Sequence, residues 1–480
     1  MIFSKRKARH MLLAILVVVS LAARGIAADV RWLGAADDVA QVTTSTVSGT
    51  WATGDTAVAE INNKQVVLTL GTDVATTDVA AELAAAINAT SATSGLVGAT
   101  LDETRNVGGQ EIGEFNDVVA SASGSVLTLT SADPGTPFTV SFSETTAGTG
   151  AMGAATTTTA ATGKNWFDNA DNWSATVTAG DNLIFDAGNV SCIYGLDNTI
   201  ENLSIDRRNS YFGAIGLNAI NNTHSGLPYT EYRQRLLDLP ITAGTGTQAH
   251  KIGEIGSPII ASGQTYLDLG TNIGLSQTMT VNDSPGADAT NGAAVQIAGG
   301  KSLGLTVNKG TVSIGLDPTQ NATNLATLNL SSVSNITTDA NVRIGSSTKF
   351  SGAGPHVTQL GGVLYLDFSL EFGSSIPDLN VSAGVMNLLG GPSGTIQVFG
   401  GSVNCFSGDA TTLSVFGGGT FDATSAEAST YTNVNLFNGF TYKDPNKRIT
   451  LTNGLDFEGC SPSDGTLEVQ GNQTWTPSGL

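Results

Sequence analysis

The sequence predicts a mainly β protein: a single-stranded right-handed parallel β-helix (β-solenoid) with a small α+β module inserted near its N-terminus. Three observations carry this expectation. Between residues 378 and 422, three phrases repeat an apolar–polar–apolar triplet, a glycine turn and a second short apolar–polar run. They begin at Leu379-Asn380-Val381, Ile396-Gln397-Val398 and Leu413-Ser414-Val415, seventeen positions apart each time. A triplet of period two is a half-buried strand, and a fixed return near twenty residues means stacked coils. Glycine reaches 58 residues and charged residues only 13%, which fits tight turns between short strands better than alternating helices and strands. At 480 residues the chain exceeds one ordinary domain unless that domain is an elongated repeat.

The N-terminal residues read as an export signal over 1–28. Lys5-Arg6-Lys7 and Arg9 precede an apolar run from Met11 to Ala23, and Ala27-Ala28 offer cleavage sites before Asp29. The run is short for a bilayer span, although an uncleaved anchor is the competing reading. Removing the signal leaves 16 basic against 41 acidic residues, a formal charge of −25. Such a chain repels nucleic acid, and no later segment is basic enough to form a patch. Cys192, Cys405 and Cys460 match no metal or CxxC spacing. A Cys405–Cys460 bridge is open in an oxidising compartment, with buried free thiols as the plainer reading.

Residues 29–56 form an N-terminal cap region with a strand around Trp32-Leu33-Gly34, and 57–142 read as the α+β module. Within it, Ala57–Ile61 and Gln65–Leu70 make a hairpin turning at Asn62-Asn63-Lys64. Thr77-Asp78 caps a helix from Val79 to Asn88, whose Val79, Leu83 and Ile87 share one face. Strands at Val118–Ser121, Ser125–Thr130 and Phe138–Phe142 close the sheet. With its strand pair, Ala-rich helix ending in Ile87-Asn88 and later Ser125-Val126-Leu127-Thr128-Leu129 strand, this stretch resembles the modules of flagellar hook and cap proteins and of phage tail proteins. Residues 143–163 read as a Gly/Ala/Thr linker, and 164–480 as the solenoid.

The linker leads into Trp166-Phe167-Asp168-Asn169-Ala170-Asp171-Asn172-Trp173, then Gly180-Asp181-Asn182-Leu183-Ile184-Phe185. The pattern resembles the opening that precedes β-helices in bacterial autotransporter-type and other exported repeat proteins. That resemblance implies that the tryptophans cap an open solenoid end, with residues 35–160 inserted into the cap. The whole arrangement resembles tail-associated virion proteins of prophage-like regions. Beyond the cap, strand patterns recur at Thr199–Asp206, Thr265–Leu269, Val295–Ile297, Leu305–Val307, Val312–Ile314, Leu328–Leu330, Val434–Leu436, Ile449–Leu451 and Leu467–Val469.

Candidate chemistry is sparse. There is no Gly-x-Ser-x-Gly elbow, and after the signal only His224, His250 and His356 remain; the first two fall in loop-like stretches and the third at a turn. Paired carboxylates could cleave a glycoside. Asp367, Glu371 and Asp378 are the candidates, with Asp268 and Asp283 further back, and scattered solubilising acids are the plainer reading. Calcium could be held by Asp168, Asp171 and Asn172, or by Asp283, Asp288 and Asn291, although neither run has an EF-hand pattern. The cluster Tyr229, Glu231, Tyr232, Arg233 and Arg235 could hold a sugar by stacking and bidentate hydrogen bonds, or merely dock a loop. Together these features predict a secreted, surface-displayed or virion-associated structural fibre. Its expected partners are a cell-surface glycan or other surface and virion proteins, and homotrimers are expected. A polysaccharide depolymerase and a non-hydrolysing glycan-binding adhesin are the alternatives. No membrane barrel is expected after Ala423.

Overall fold

A computed structural model describes most of residues 28–480. Outside it lie 1–27, where the export signal was read, and a set of internal stretches, the longest being 89–98, 229–235, 240–246, 255–263, 284–293, 317–322, 331–339 and 368–375. The chain is mainly β. Among the described residues 25 strands form one continuous parallel sheet, joined by pairings between next-but-one strands. Thus Ser276–Val281 pairs with Leu303–Val307, while the intervening Val295–Ala298 pairs with Gly310–Ile314. Parallel neighbours cannot be joined by a hairpin, so every rung requires the chain to travel away and return.

The register is kept over a long column. Val30, Leu183, Ile205, His250, Met279, Leu305, Leu328, Val357, Leu379, Ile396, Leu413, Val434 and Leu455 occupy thirteen successive rungs. All are buried, and at about 4.8 Å per rung they extend about 60 Å. The expected return of seventeen residues holds from Leu379 to Ile396 and on to Leu413, and lengthens to 21 from Leu413 to Val434. Corners between triplets fall on glycines. Gly384 has φ +83°, and a Cβ there would meet the Gly362 carbonyl oxygen at 2.3 Å, so only glycine fits.

One apolar cluster runs from Val30 to Phe457. Polar side chains interrupt it at Arg207, His250 and Gln359, all buried. Arg207 donates to Thr265 Oγ1 at 2.9 Å and to the carbonyls of Tyr211 and Gly213; burial draws its guanidinium down to about 10. The three cysteines are free. Cys405 lies in the core, where burial raises its thiol pKa and Tyr431 Oη approaches its sulfur at 3.6 Å.

The N-terminal module has its own core, from Val47 to Met152. Thr56–Ile61 lies between Val140–Thr145 and Lys64–Thr69, and the last pairs with Ala99–Leu101. A second sheet orders Ala151–Met152, Val42–Ser48, Val126–Ser131 and Val118–Ser123, with Thr156–Thr159 also on Val42–Ser48. The stretch expected as a bare linker therefore carries strands. The four consecutive threonines Thr156–Thr159 are all exposed, so no apolar periodicity reveals their strand. The helix runs Thr76–Ile87 and is capped at Ala75 with no side-chain bond, rather than by Thr77-Asp78. It buries Val79, Leu83 and Ile87 as expected. Asn88, at its end, exchanges two 2.8 Å bonds with the backbone of Ala120.

Candidate functional site

Residues on either side of the module meet. Asp29–Arg31 pairs in parallel with Asn182–Phe185, Trp32 bridges Trp173, and Val39 bridges Thr162. Trp32, Phe167, Trp173 and Phe185 form a buried cluster with ring centroids 4.9–5.9 Å apart, which Tyr211 extends. Each buried indole has an acceptor: Trp173 Nε1 donates to Phe167 O at 2.6 Å and Trp32 Nε1 to Val190 O at 2.8 Å. Trp166 takes a different part from Trp173. It is half-buried, packs on Tyr194 and donates Nε1 to the Gly135 carbonyl at 2.7 Å, pinning the module's Pro134-Gly135 turn. Phe167 is the residue that enters the core in its place.

Asn172, read as a calcium ligand, is fully buried and has its amide committed. Oδ1 accepts Ala36 N–H at 2.9 Å, while Nδ2 donates to Gly163 O and Trp166 O at 2.7 and 2.8 Å. A cation would have to break the first bond and face an N–H₂ group, so this position does not suit a metal. Asp288 and Asn291 lie outside the described residues, as does the entire Tyr229, Glu231, Tyr232, Arg233, Arg235 cluster.

Of the carboxylate candidates, Glu371 also lies outside the described residues. Asp367 ends the strand Val357–Asp367, half-buried and opposite in direction to the buried Leu366, with Gly390 as its register partner. Asp378 precedes the neighbouring strand Leu379–Gly390, next to Val357. The two acids thus occupy opposite ends of paired strands. They are not register partners, Asp367 facing Gly390 and Asp378 preceding Leu379 at the far end of that strand. Asp378 instead knits rungs together: Oδ1 accepts Thr395 N–H at 2.7 Å, its carbonyl accepts His356 N–H at 3.0 Å, and its N–H donates to His356 Nδ1 at 3.2 Å. We expect Asp378→Ala to lose about 1–2 kcal/mol by leaving the Thr395 amide without its acceptor. Asp378→Asn should keep most of this stability in urea unfolding; equal losses would contradict the assignment.

Asp268 and Asp283 are buried, the first accepting Gly270 N–H at 2.8 Å and the second 3.7 Å from Lys309 Nζ. His224 and His250 lie on strands rather than loops. His250 is in the core, accepting Ile205 N–H at Nδ1 over 3.4 Å, and burial lowers its pKa to about 4. His356 is buried against Phe350. Both imidazoles lie away from the surface.

The most regular surface feature went unread in the sequence. Phe399, Phe416 and Phe437 follow three successive core triplets and stack outside the core. Their centroids are 4.6 and 4.3 Å apart, with interplanar angles of 13° and 15°. Phe399 is 43% exposed. Beside this corner, on the side of the strands away from the core, runs a column of Thr280, Thr306, Asn329, Thr358, Asn380, Gln397, Ser414 and Asn435, eight uncharged residues in register, with Asn329 exposed, Ser414 buried and the others half-buried. The signal was present: Val398-Phe399, Val415-Phe416 and Leu436-Phe437 each place phenylalanine just after an inward residue.

No protein-family model matches the chain, and no curated protein or solved structure is similar to it. Among the described residues no helix is long and apolar enough to cross a membrane.

Proposed function

We propose that the parallel sheet winds as a right-handed β-solenoid and that the chain is a non-enzymatic, exported structural or adhesive fibre protein. In this reading the solenoid is a stiff stalk held near a cell surface or on a virion, and the N-terminal module and the Tyr229–Arg235 segment present recognition surfaces. The observation that supports it best is the unbroken register from Val30 to Leu455, with an apolar residue or a neutral imidazole at each of the thirteen positions of that column. A core that contacts only its neighbouring rungs resists bending and carries variable loops at little cost. The basic-then-apolar start, the acidic charge and the Trp166–Trp173 resemblance to exported repeat proteins point the same way. A cell-surface glycan or another surface or virion protein is the partner this reading calls for.

Small-angle scattering offers a direct test. The proposal expects a rod with a solenoid segment about 60 Å long at about 4.8 Å per rung, lengthened by the module. A compact, near-spherical profile would refute it. Glycan arrays probed with wild-type protein and with Tyr232→Ala or Arg233→Ala then separate adhesion from a purely mechanical part: adhesion requires binding that these substitutions abolish.

A further inference from the structure

The corner bearing Phe399, Phe416 and Phe437 has no evident task within the molecule, because the core beneath it is already filled by Val398, Val415 and Leu436. Backbone bonds fix the order of the column. Phe399 N–H donates to Val381 O, Phe416 N–H to Val398 O, Phe437 N–H to Val415 O and Glu458 N–H to Leu436 O. The three rings therefore stand on consecutive rungs, with Ser382 before them and Glu458 after. One corner further back, Leu360 is 48% exposed. Large apolar groups gathered on a surface mark a place where something packs.

The chemistry of the corner narrows the occupant. A sugar stacks on an open ring face, but here both faces of Phe416 and one face each of Phe399 and Phe437 are covered by stacking. A basic partner would be drawn by carboxylates, and the adjoining column from Thr280 to Asn435 has none, although the chain holds 41 acidic residues against 21 basic ones. Charge returns only at the ends of that column, with Lys251 before Thr280 and Asp456 after Asn435. Two copies of so acidic a chain repel least where they meet on a face poor in free carboxylates. Such a face, periodic along eight rungs, edged by phenylalanine on three of them and with the neighbouring Asp378 carboxylate engaged by Thr395 N–H at 2.7 Å, can meet a second copy of itself, as an interface between identical subunits requires.

We propose that this corner and the uncharged face beside it form the surface on which a second copy of the chain packs side by side. The inference goes beyond the stalk reading, since a stalk can act alone. Sedimentation velocity of the purified chain should give a mass that is a multiple of the monomer's. Phe399→Ser/Phe416→Ser/Phe437→Ser should raise the concentration of half-dissociation at least about tenfold. Should that variant fail to fold, Gln397→Glu/Asn435→Glu adds carboxylates at half-buried positions on the side of the strands away from the core. It should dissociate the assembly at low salt and let it re-form as salt screens the repulsion. A monomeric wild type at tens of micromolar overturns the proposal and leaves the stalk reading standing. An oligomer indifferent to either folded variant overturns it equally, as does a monomer that captures glycans through this corner.

Discussion

Replacing Trp173 with alanine should be among the most damaging single substitutions in the chain, at about 3–5 kcal/mol. The ring is buried among Trp32, Phe167 and Phe185, so truncation leaves a cavity with aromatic walls. The lost indole also strands the Phe167 carbonyl that accepts its N–H at 2.6 Å. The damage should be local. Each rung packs mainly on its neighbours, so weakening the first rungs leaves those beyond Leu379 nearly unaffected. Hydrogen exchange should therefore show fast amides around Val30 and Leu183 with protection retained at Leu413 and Val434. Trp166→Ala is the control. It should cost less, because Trp166 is half-buried, and should chiefly release the module by breaking the bond to Gly135. Uniform loss of protection along the sheet in the Trp173 variant would refute local coupling.

The repeat was legible in the sequence where the return from one parallel strand to the next is short and turns on glycine. Leu379, Ile396 and Leu413 were readable as one column because seventeen residues leave no room for loops, and the structure places all three in register. Where the return grows to 29, from His250 to Met279, the strand could be found but not its partner, since loop length hides the phase. The module's strands and helix were legible from alternation and four-residue spacing. The threonine strands at Thr156–Thr159 were not, because their side chains are exposed on the sheet edge.

The candidate site was less legible than the fold, for a physical reason. Asp, Asn and His are equally at home as catalytic groups and as partners for backbone amides. Only position tells Asp378, which bonds Thr395, from an acid free to act. Asn172 shows the same ambiguity: sequence offers it as an oxygen ligand, and the fold uses both ends of its amide to lock the cap. Arg207 stands two residues after Ile205 and so points inward, a placement that alternation predicts and charge argues against. The outer phenylalanines were missed for the opposite reason, because a phenylalanine beside an apolar triplet reads as more core. That they line up on one corner becomes visible only once the rungs are stacked.

The second large effect expected is acid sensitivity, and it turns on His250. Inside the column between Ile205 and Met279 it is held neutral, with a pKa near 4 against about 6.5 in an unfolded chain. Between these values the unfolded state binds the proton and the folded state does not, so stability falls as the pH drops from 6.5 to 4. It is fully present above 6.5. A difference of this size is worth on the order of 3 kcal/mol at about 1.36 kcal/mol per pH unit. Carboxylates also begin to titrate near the lower limit, so the comparison must be made with His250→Leu over pH 4.5–7. Leucine cannot accept the Ile205 N–H, which His250 Nδ1 takes over 3.4 Å, and should cost about 1 kcal/mol at pH 7. It carries no proton, so its stability should be nearly flat down to pH 5. The two curves should cross, with wild type more stable at neutral pH and the variant more stable near pH 4.5. Parallel curves from urea unfolding would mean that solvent reaches His250 and that the rung at Ile205 opens before the proton arrives.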